Sequence, residues 1–204
     1  MTIEIITCQQ GTQEWLEARM GIVTASEMNS VMANGRNGEP SKTRALYMRR
    51  LAAEIITGRP CAYFEGNEDT ERGKELEPVI ADLYSQSNSQ IVTDVGFIKN
   101  GRIGCSPDRL IGEDGGLEIK SKRPYIQIEI LEKGDVPTEY LKQIQTCLKV
   151  TEREWWDFVC HSEGLPLFTK RVYRNEKLIM DIEAATDLFN EELDELVERL
   201  KKLY

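Results

Sequence analysis

The chain has 204 residues, 40% hydrophobic and 30% charged, an ordinary globular mix with enough length for one medium domain, expected to span residues 1–204. No apolar run approaches the ~20 residues of a membrane helix, and the N-terminal MTIEIITCQQ lacks a basic segment, so neither a membrane span nor a secretory signal is expected. The net charge of −9 on its face disfavours a nucleic-acid partner, but residues 181–204 hold eight acidic and three basic residues, which accounts for −5 of it.

Basic clusters remain at Lys42/Arg44/Arg49/Arg50 and at Lys120/Lys122/Arg123, so a local positive surface stays open. The five cysteines are scattered and odd in number, with no CxxC pair. That speaks against a disulfide framework and for a reducing cytoplasm. A single histidine, His161, argues against a zinc site and against Ser-His or Cys-His nucleophiles. Any chemistry then falls to carboxylates and lysines.

In chain order, a short helix is expected over 12–20, containing Trp15 and Arg19. Thr24-Ala-Ser-Glu27 has the form of a capping box opening a helix that stops near Asn34-Gly35. Ser41 caps a longer helix with Gly58 as its stop. Residues 73–86 repeat the helical pattern, and Pro78 suits only a first turn, so regular helix should begin near 75–77. The middle reads as strands: 91–98 leads through Asn100-Gly101, a hairpin signal, into RIGCSP, and then DRLI, a GEDGG loop and LEIKSK. Helix returns over 137–150, two strands follow at 155–160 and 167–174, and the chain ends in an amphipathic helix with Phe189, Leu193, Leu196, Val197 and Leu200 at the 3.6 period. This order predicts an α/β (α+β mixed) fold with a central mixed sheet flanked by helices.

The chemistry concentrates in GCSPDRLIGEDGGLEIK, residues 104–120. A hairpin centred near Asp114 puts Asp108 opposite Lys120 and diagonal to Glu118, to within one or two residues, at ~5 Å and ~7–8 Å respectively. Glu118 and Lys120 share a face, while Leu117 and Ile119 point to the other. Two carboxylates that stay ionised together need a cation between them, and oxygen donors suit Mg²⁺ or Mn²⁺. The D-x(n)-E-x-K spacing matches metal-dependent nucleases, although charged hairpins match it too. Glu75 and Glu77 offer a further helix carboxylate, or merely complement the helix dipole. The TASE segment is either a phosphate site, with Arg19 one loop upstream, or an ordinary capped helix. Tyr140 and Gln143 lie three apart on a helix face within reach of the sheet edge. Trp155 and Trp156 read as core.

Taken together, GTQEWLEARMGIVTASE, GKELEP, GCSPDRLIGEDGGLEIKSKRPY and EYLKQIQTCLKVT resemble the phage lambda-type (YqaJ-like) alkaline exonucleases of the PD-(D/E)xK restriction-endonuclease-like superfamily, in order from about residue 10 to 160. The resemblance implies that Asp108, Glu118 and the Ile119 main-chain carbonyl hold Mg²⁺. Lys120 would orient or activate the water, Glu77 would support the metal site, and Gln143 would sit close to the lysine with Tyr140 flanking. Arg19 and Ser26, with Ser106 nearby, would bind the terminal 5′-phosphate. It further implies a 5′→3′ exonuclease acting on one strand of linear double-stranded DNA in a bacterial or phage-infected cell. That enzyme would leave a 3′ overhang, form a ring-shaped homotrimer and work beside a single-strand annealing protein. A ring with a basic lumen and an acidic rim would account for the charge, with the Lys42/Arg44/Arg49/Arg50 cluster lining the hole.

The chain departs from the wider superfamily's Q-x3-Y pattern, since Gln143 is followed by Cys147 while Tyr140 precedes it. The alternatives are an endonuclease or nickase on the same fold, a catalytically inactive DNA-end-binding module, and an acidic domain that binds protein partners.

Overall fold

The computed structural model describes residues 2–35, 41–61 and 68–203. Nine strands and seven α-helices are placed among them. Strand β1 (Ile3–Ile6), which the sequence does not announce, is followed by α1 (Gln13–Ala18), β2 (Val23–Thr24), a 3₁₀ turn over Ala25–Glu27 and α2 (Met28–Val31). Next come α3 (Lys42–Thr57) and α4 (Glu68–Asn88). The strands β3 (Val92–Thr93), β4 (Phe97–Asn100), β5 (Ile103–Cys105), β6 (Arg109–Ile111) and β7 (Gly115–Ser121) then lead into α5 (Pro124–Lys133) and α6 (Thr138–Thr151). The chain closes with β8 (Trp155–His161), β9 (Phe168–Tyr173) and α7 (Glu176–Lys201).

The strands form two sheets, ordered β1-β4-β5-β2 and β3-β6-β7-β8-β9. The expected strand 91–98 is therefore two short strands in different sheets. Both sheets are mixed: β2 runs parallel to β5, and β7 runs parallel to β8 through the α5–α6 crossover. Among the described residues no helix is long and apolar enough to cross a membrane.

Local signals explain most helix ends. Ser41 Oγ accepts from the Arg44 N–H at 3.1 Å and Gly58 closes α3 at φ +63°, as expected. The Thr24 capping box does not form: Thr24 makes no side-chain cap bond, and its own N–H is taken by the Tyr47 hydroxyl at 3.0 Å. Glu27 turns away to Ser30 and Arg50. A 3₁₀ turn and a four-residue helix stand where an ordinary capped helix was expected.

Pro78 lies inside α4 rather than in its first turn. Its missing N–H leaves the Lys74 carbonyl without the usual helical donor, at a cost of about 3 kcal/mol. Burial of Ile80, Ala81 and Tyr84 against Leu117, Ile119 and Val159 offsets that cost. Tertiary packing has overridden the local preference.

The central strands β7 and β8 of the second sheet are buried on both faces, while β9 is largely exposed. Along β8, Trp156, Phe158 and Cys160 enter the main core, while Val159 faces α4. Trp156 is fully buried, as expected, and Trp155 lies under the Arg171 guanidinium at 3.5 Å. Helix α7 is amphipathic as expected, with Asp181, Asp187, Glu191, Glu195 and Glu198 exposed. Its apolar face packs into the main core, and Arg102 meets Asp194 through two bonds of 2.6 and 2.9 Å.

The basic cluster on α3 separates. Arg44 is buried, donating from Nε to the Val31 carbonyl at 3.1 Å and from Nη1 to Glu192 at 2.6 Å, with its guanidinium over Phe189. Arg44 is thus a packing residue and not part of a DNA-lining surface. Arg44→Ala is expected to lower stability by about 1–3 kcal/mol in urea titrations while leaving duplex-DNA affinity at the wild-type value. A loss of affinity without a loss of stability would return Arg44 to the DNA path.

Candidate active site

The β6–β7 hairpin pairs Arg109 with Leu117, Leu110 with Gly116 and Ile111 with Gly115. The turn is two residues shorter than the sequence suggested, Gly115 and Gly116 having joined β7, and the register carried on places Asp108 opposite Glu118 rather than Lys120. The pairing stops there, so the β7 edge beyond Leu117 has no strand neighbour on the β6 side. The Asp108 carboxylate fills that gap, its Oδ2 accepting from the Ile119 N–H at 2.5 Å. A residue in an extended strand turns its N–H and C=O to the same side. The Ile119 carbonyl therefore opens toward Asp108.

Alternation along β7 behaves as expected. Leu117 and Ile119 pack toward α4, and Glu118 and Lys120 face α6. Glu118 is only 1% exposed. Its Oε1 accepts from the Lys120 ammonium and from Gln143 Nε2 at 2.7 Å. Its Oε2 is buried without a partner among the described residues. An orphaned carboxylate oxygen beside a second carboxylate is an acceptor site prepared for a cation, since leaving it unpaired is costly. Tyr140 stacks on Phe158 at 5.2 Å and carries Lys120 and Lys122 over its ring at 5.5 and 5.3 Å. The helix face predicted to reach the sheet edge does reach it.

Glu77 comes from α4, but its Oε1 is held by Arg109 Nη1 at 2.7 Å. Arg109 also binds the Asp108 carbonyl and reaches Asp94 at 3.1 Å. Sequence reasoning missed Arg109. Its place directly after Asp108 was the available signal. Among the described residues no three acidic, histidine or cysteine side chains gather as a ligand set. The donors that fit a hard cation are two carboxylates and one main-chain carbonyl, with water completing the shell.

Electrostatics agree with that reading. Burial, followed by the charges of Glu118 and Glu77, holds the Asp108 carboxyl well above its usual range, against the pull of Lys120 and the Ile119 N–H. Burial alone would lower Lys120, but Glu118 and Asp108 outweigh it and hold the ammonium above the ordinary lysine value.

A cleft of about 540 Å³ opens here, with Glu77, Asp108, Ile119 and Lys120 on its lining. Its walls add Arg72 and Lys74 from α4 and Lys122 and Arg123 from the start of the crossover. Five basic side chains and two carboxylates thus line the cleft.

Of the residues expected at the DNA end, Arg19 and Ser106 are linked through Trp15, while Ser26 contacts Thr24. The Arg19 guanidinium lies over the Trp15 ring at 3.9 Å, and Trp15 Nε1 donates to Ser106 Oγ at 2.8 Å, two residues before Asp108. Ser26 is exposed, its hydroxyl 3.4 Å from Thr24 Oγ1. Burial lowers the Arg19 pKa, opposed by Tyr47, Glu27 and Glu54.

A mixed sheet presenting Asp108, Glu118 and Lys120 at a hairpin end, backed by helices on both faces, is a restriction-endonuclease-like nuclease core. Residues 14–154 match the YqaJ-like viral recombinase domain, and the chain belongs to that family. It is similar to the alkaline exonuclease LHK-Exo from Laribacter hongkongensis, with 37% identity and a TM-score of 0.84 over 94% of this chain and 97% of that one. The structure of LHK-Exo in complex with dAMP aligns at 36% identity and TM-score 0.85, with the same coverage. A phage related exonuclease from Haemophilus somnus 129PT shares the fold at 17% identity and TM-score 0.66, over 88% of this chain and 96% of that one. No match was found among curated proteins.

Proposed function

We propose that this protein is a Mg²⁺-dependent exonuclease that degrades one strand of linear duplex DNA from its 5′ end, leaving 3′ single-stranded overhangs for recombination. The family and the likeness to alkaline exonucleases support a recombination-related exonuclease. The observation that carries the metal-dependent reading is the orphaned Glu118 Oε2 beside Asp108, Ile119 and Lys120 at the head of a cationic cleft.

In this reading Asp108, Glu118 and the Ile119 carbonyl hold the ion, with Mn²⁺ as a substitute. The ion supplies Lewis acidity toward a phosphoryl oxygen and acidifies water. Lys120 donates to the attacking water and fixes its approach. Gln143 holds Glu118 in place through Oε1, and Tyr140 keeps Lys120 over its ring. Arg109 pins both Glu77 and the Asp108 main chain, so it positions the site without touching substrate. Arg19, Ser106 and Ser26 hold the terminal 5′-phosphate, with Trp15 as the bridge that ties end recognition to the catalytic hairpin. The homotrimeric ring and the single-strand annealing partner belong to the same proposal and rest on the family resemblance.

The deciding experiment digests a linear duplex, 5′-phosphorylated at one end, with Mg²⁺ or with EDTA, beside a covalently closed circle. Mg²⁺-dependent loss from the phosphorylated 5′ end with the circle untouched is expected. A cut circle would replace this reading with an endonuclease. No digestion with end binding retained would leave an inactive end-binding module. Arg19→Ala is expected to slow 5′-phosphorylated ends roughly 10- to 100-fold, the scale of a lost charge-assisted bond, and 5′-hydroxyl ends far less. Equal loss on both ends would remove Arg19 from phosphate recognition.

A further inference from the structure

We infer that Tyr125 and Lys122 form a nucleobase subsite at the mouth of the catalytic cleft. The phenol ring stacks the base of the nucleotide being removed, and Lys122 holds a phosphate of the same strand. This rests on the proposed nuclease reading and goes beyond it by giving the base its own contact.

Tyr125 lines the cleft that contains Asp108, Ile119 and Lys120, yet the residue is 67% exposed. An aromatic ring left in water beside a catalytic centre keeps a large apolar face uncovered. Pro124, at the first position of α5, sets the backbone just before it. Helix α4 lines the same cleft with Gly73, where an added Cβ would meet nothing within 4 Å. The lining thus offers a flat apolar surface at Tyr125 and open space at Gly73.

Lys122 follows Lys120 by two residues and lies on the same side of the strand, and both ammonium groups sit over Tyr140. The two lysines differ in their partners. Lys120 is tied to Glu118, while Lys122 forms no ion pair among the described residues, which leaves its charge for a ligand. The Lys122 charge selects an anion, and the exposed ring selects a flat one. A nucleotide satisfies both. Stacking and a cationic track are the two devices by which single strands are held without sequence reading. The cleft volume of about 540 Å³ is in the range that encloses one small ligand. The subsite therefore takes the terminal nucleotide after it has left the duplex, and it favours purines over pyrimidines because their larger faces stack more strongly.

The test measures calorimetric binding of dAMP, dCMP and 2-deoxyribose 5-phosphate, with Mg²⁺, to the full chain and to Tyr125→Ala, Tyr125→Phe and Lys122→Ala. Tyr125→Ala should weaken dAMP about 10-fold, the scale of one lost base stack, and leave the base-free sugar phosphate unchanged. Tyr125→Phe should retain dAMP binding. The dAMP-over-dCMP preference should disappear in Tyr125→Ala, and Lys122→Ala should weaken all three probes. Equal effects of Tyr125→Ala on dAMP and on the sugar phosphate, or none on either, would overturn the subsite. So would absence of dAMP binding by the unaltered protein, or a change of oligomeric mass in Tyr125→Ala with the base preference intact. Duplex digestion by the same unaltered preparation separates the two levels. If it digests duplex and Tyr125→Ala binds dAMP normally, only the subsite fails. If it does not digest duplex, the nuclease reading fails first.

Discussion

Lys120→Ala is expected to lower turnover on linear duplex DNA by about 10³-fold or more, with the fold retained and most DNA affinity kept. The magnitude follows from the loss of a preorganised donor at the reacting centre, which costs about 10²–10³-fold by itself. Loss of a group that sets the water's approach adds to that. The lysine also holds Glu118 Oε1, so its removal leaves Gln143 as the one described donor to that carboxylate. Single-turnover digestion separates the steps. A defect confined to binding, with a normal rate once bound, would mean that Lys120 is only part of the cationic wall.

Asp108→Asn should produce two opposite changes in one variant. Without divalent ions it should be more stable than the unaltered chain at neutral pH. The folded pKa of Asp108 is raised, chiefly by burial and next by Glu118. A raised carboxyl pKa contributes stability that is complete below the unfolded value, 3.8, and is lost as pH rises through the folded value. The unaltered chain should therefore lose stability over that window, and the asparagine variant should lose less. With Mg²⁺ the order reverses. An ion at a hundred times its Kd stabilises by about 2.7 kcal/mol, which is roughly 5–10 °C for a chain of this size. Asp108→Asn should forfeit that gain. Thermal melts with EDTA and with Mg²⁺, at two pH values, check both halves. An identical Mg²⁺ shift in the variant would place the ion elsewhere.

The candidate site residues were legible because strand and helix periods are local. Glu118 and Lys120 had to share a face, Leu117 and Ile119 had to take the other, and Tyr140 and Gln143 had to share a turn of helix. Ser41 and Gly58 marked the ends of α3 for the same reason, since a cap is satisfied within a few residues. Helix α5 gives mixed signals. Ile126, Ile128 and Ile130 alternate at the strand period, while Pro124 and Gly134 are helix punctuation. The cleft wall that carries Tyr125 was hidden by that conflict.

The sequence alone determined which side chains could make a metal-dependent nuclease site and which strand and helices would present them. Tertiary structure decided the rest. It set the two-residue shift that faces Asp108 with Glu118 and ended β6 early enough to open the β7 edge. It gave Glu77 to Arg109, spent Arg44 on Val31 and Glu192, and forced helix through Pro78. Each of these outcomes turns on partners distant in sequence, whose burial and pairing outweigh local preferences worth only about a kilocalorie per residue or a few.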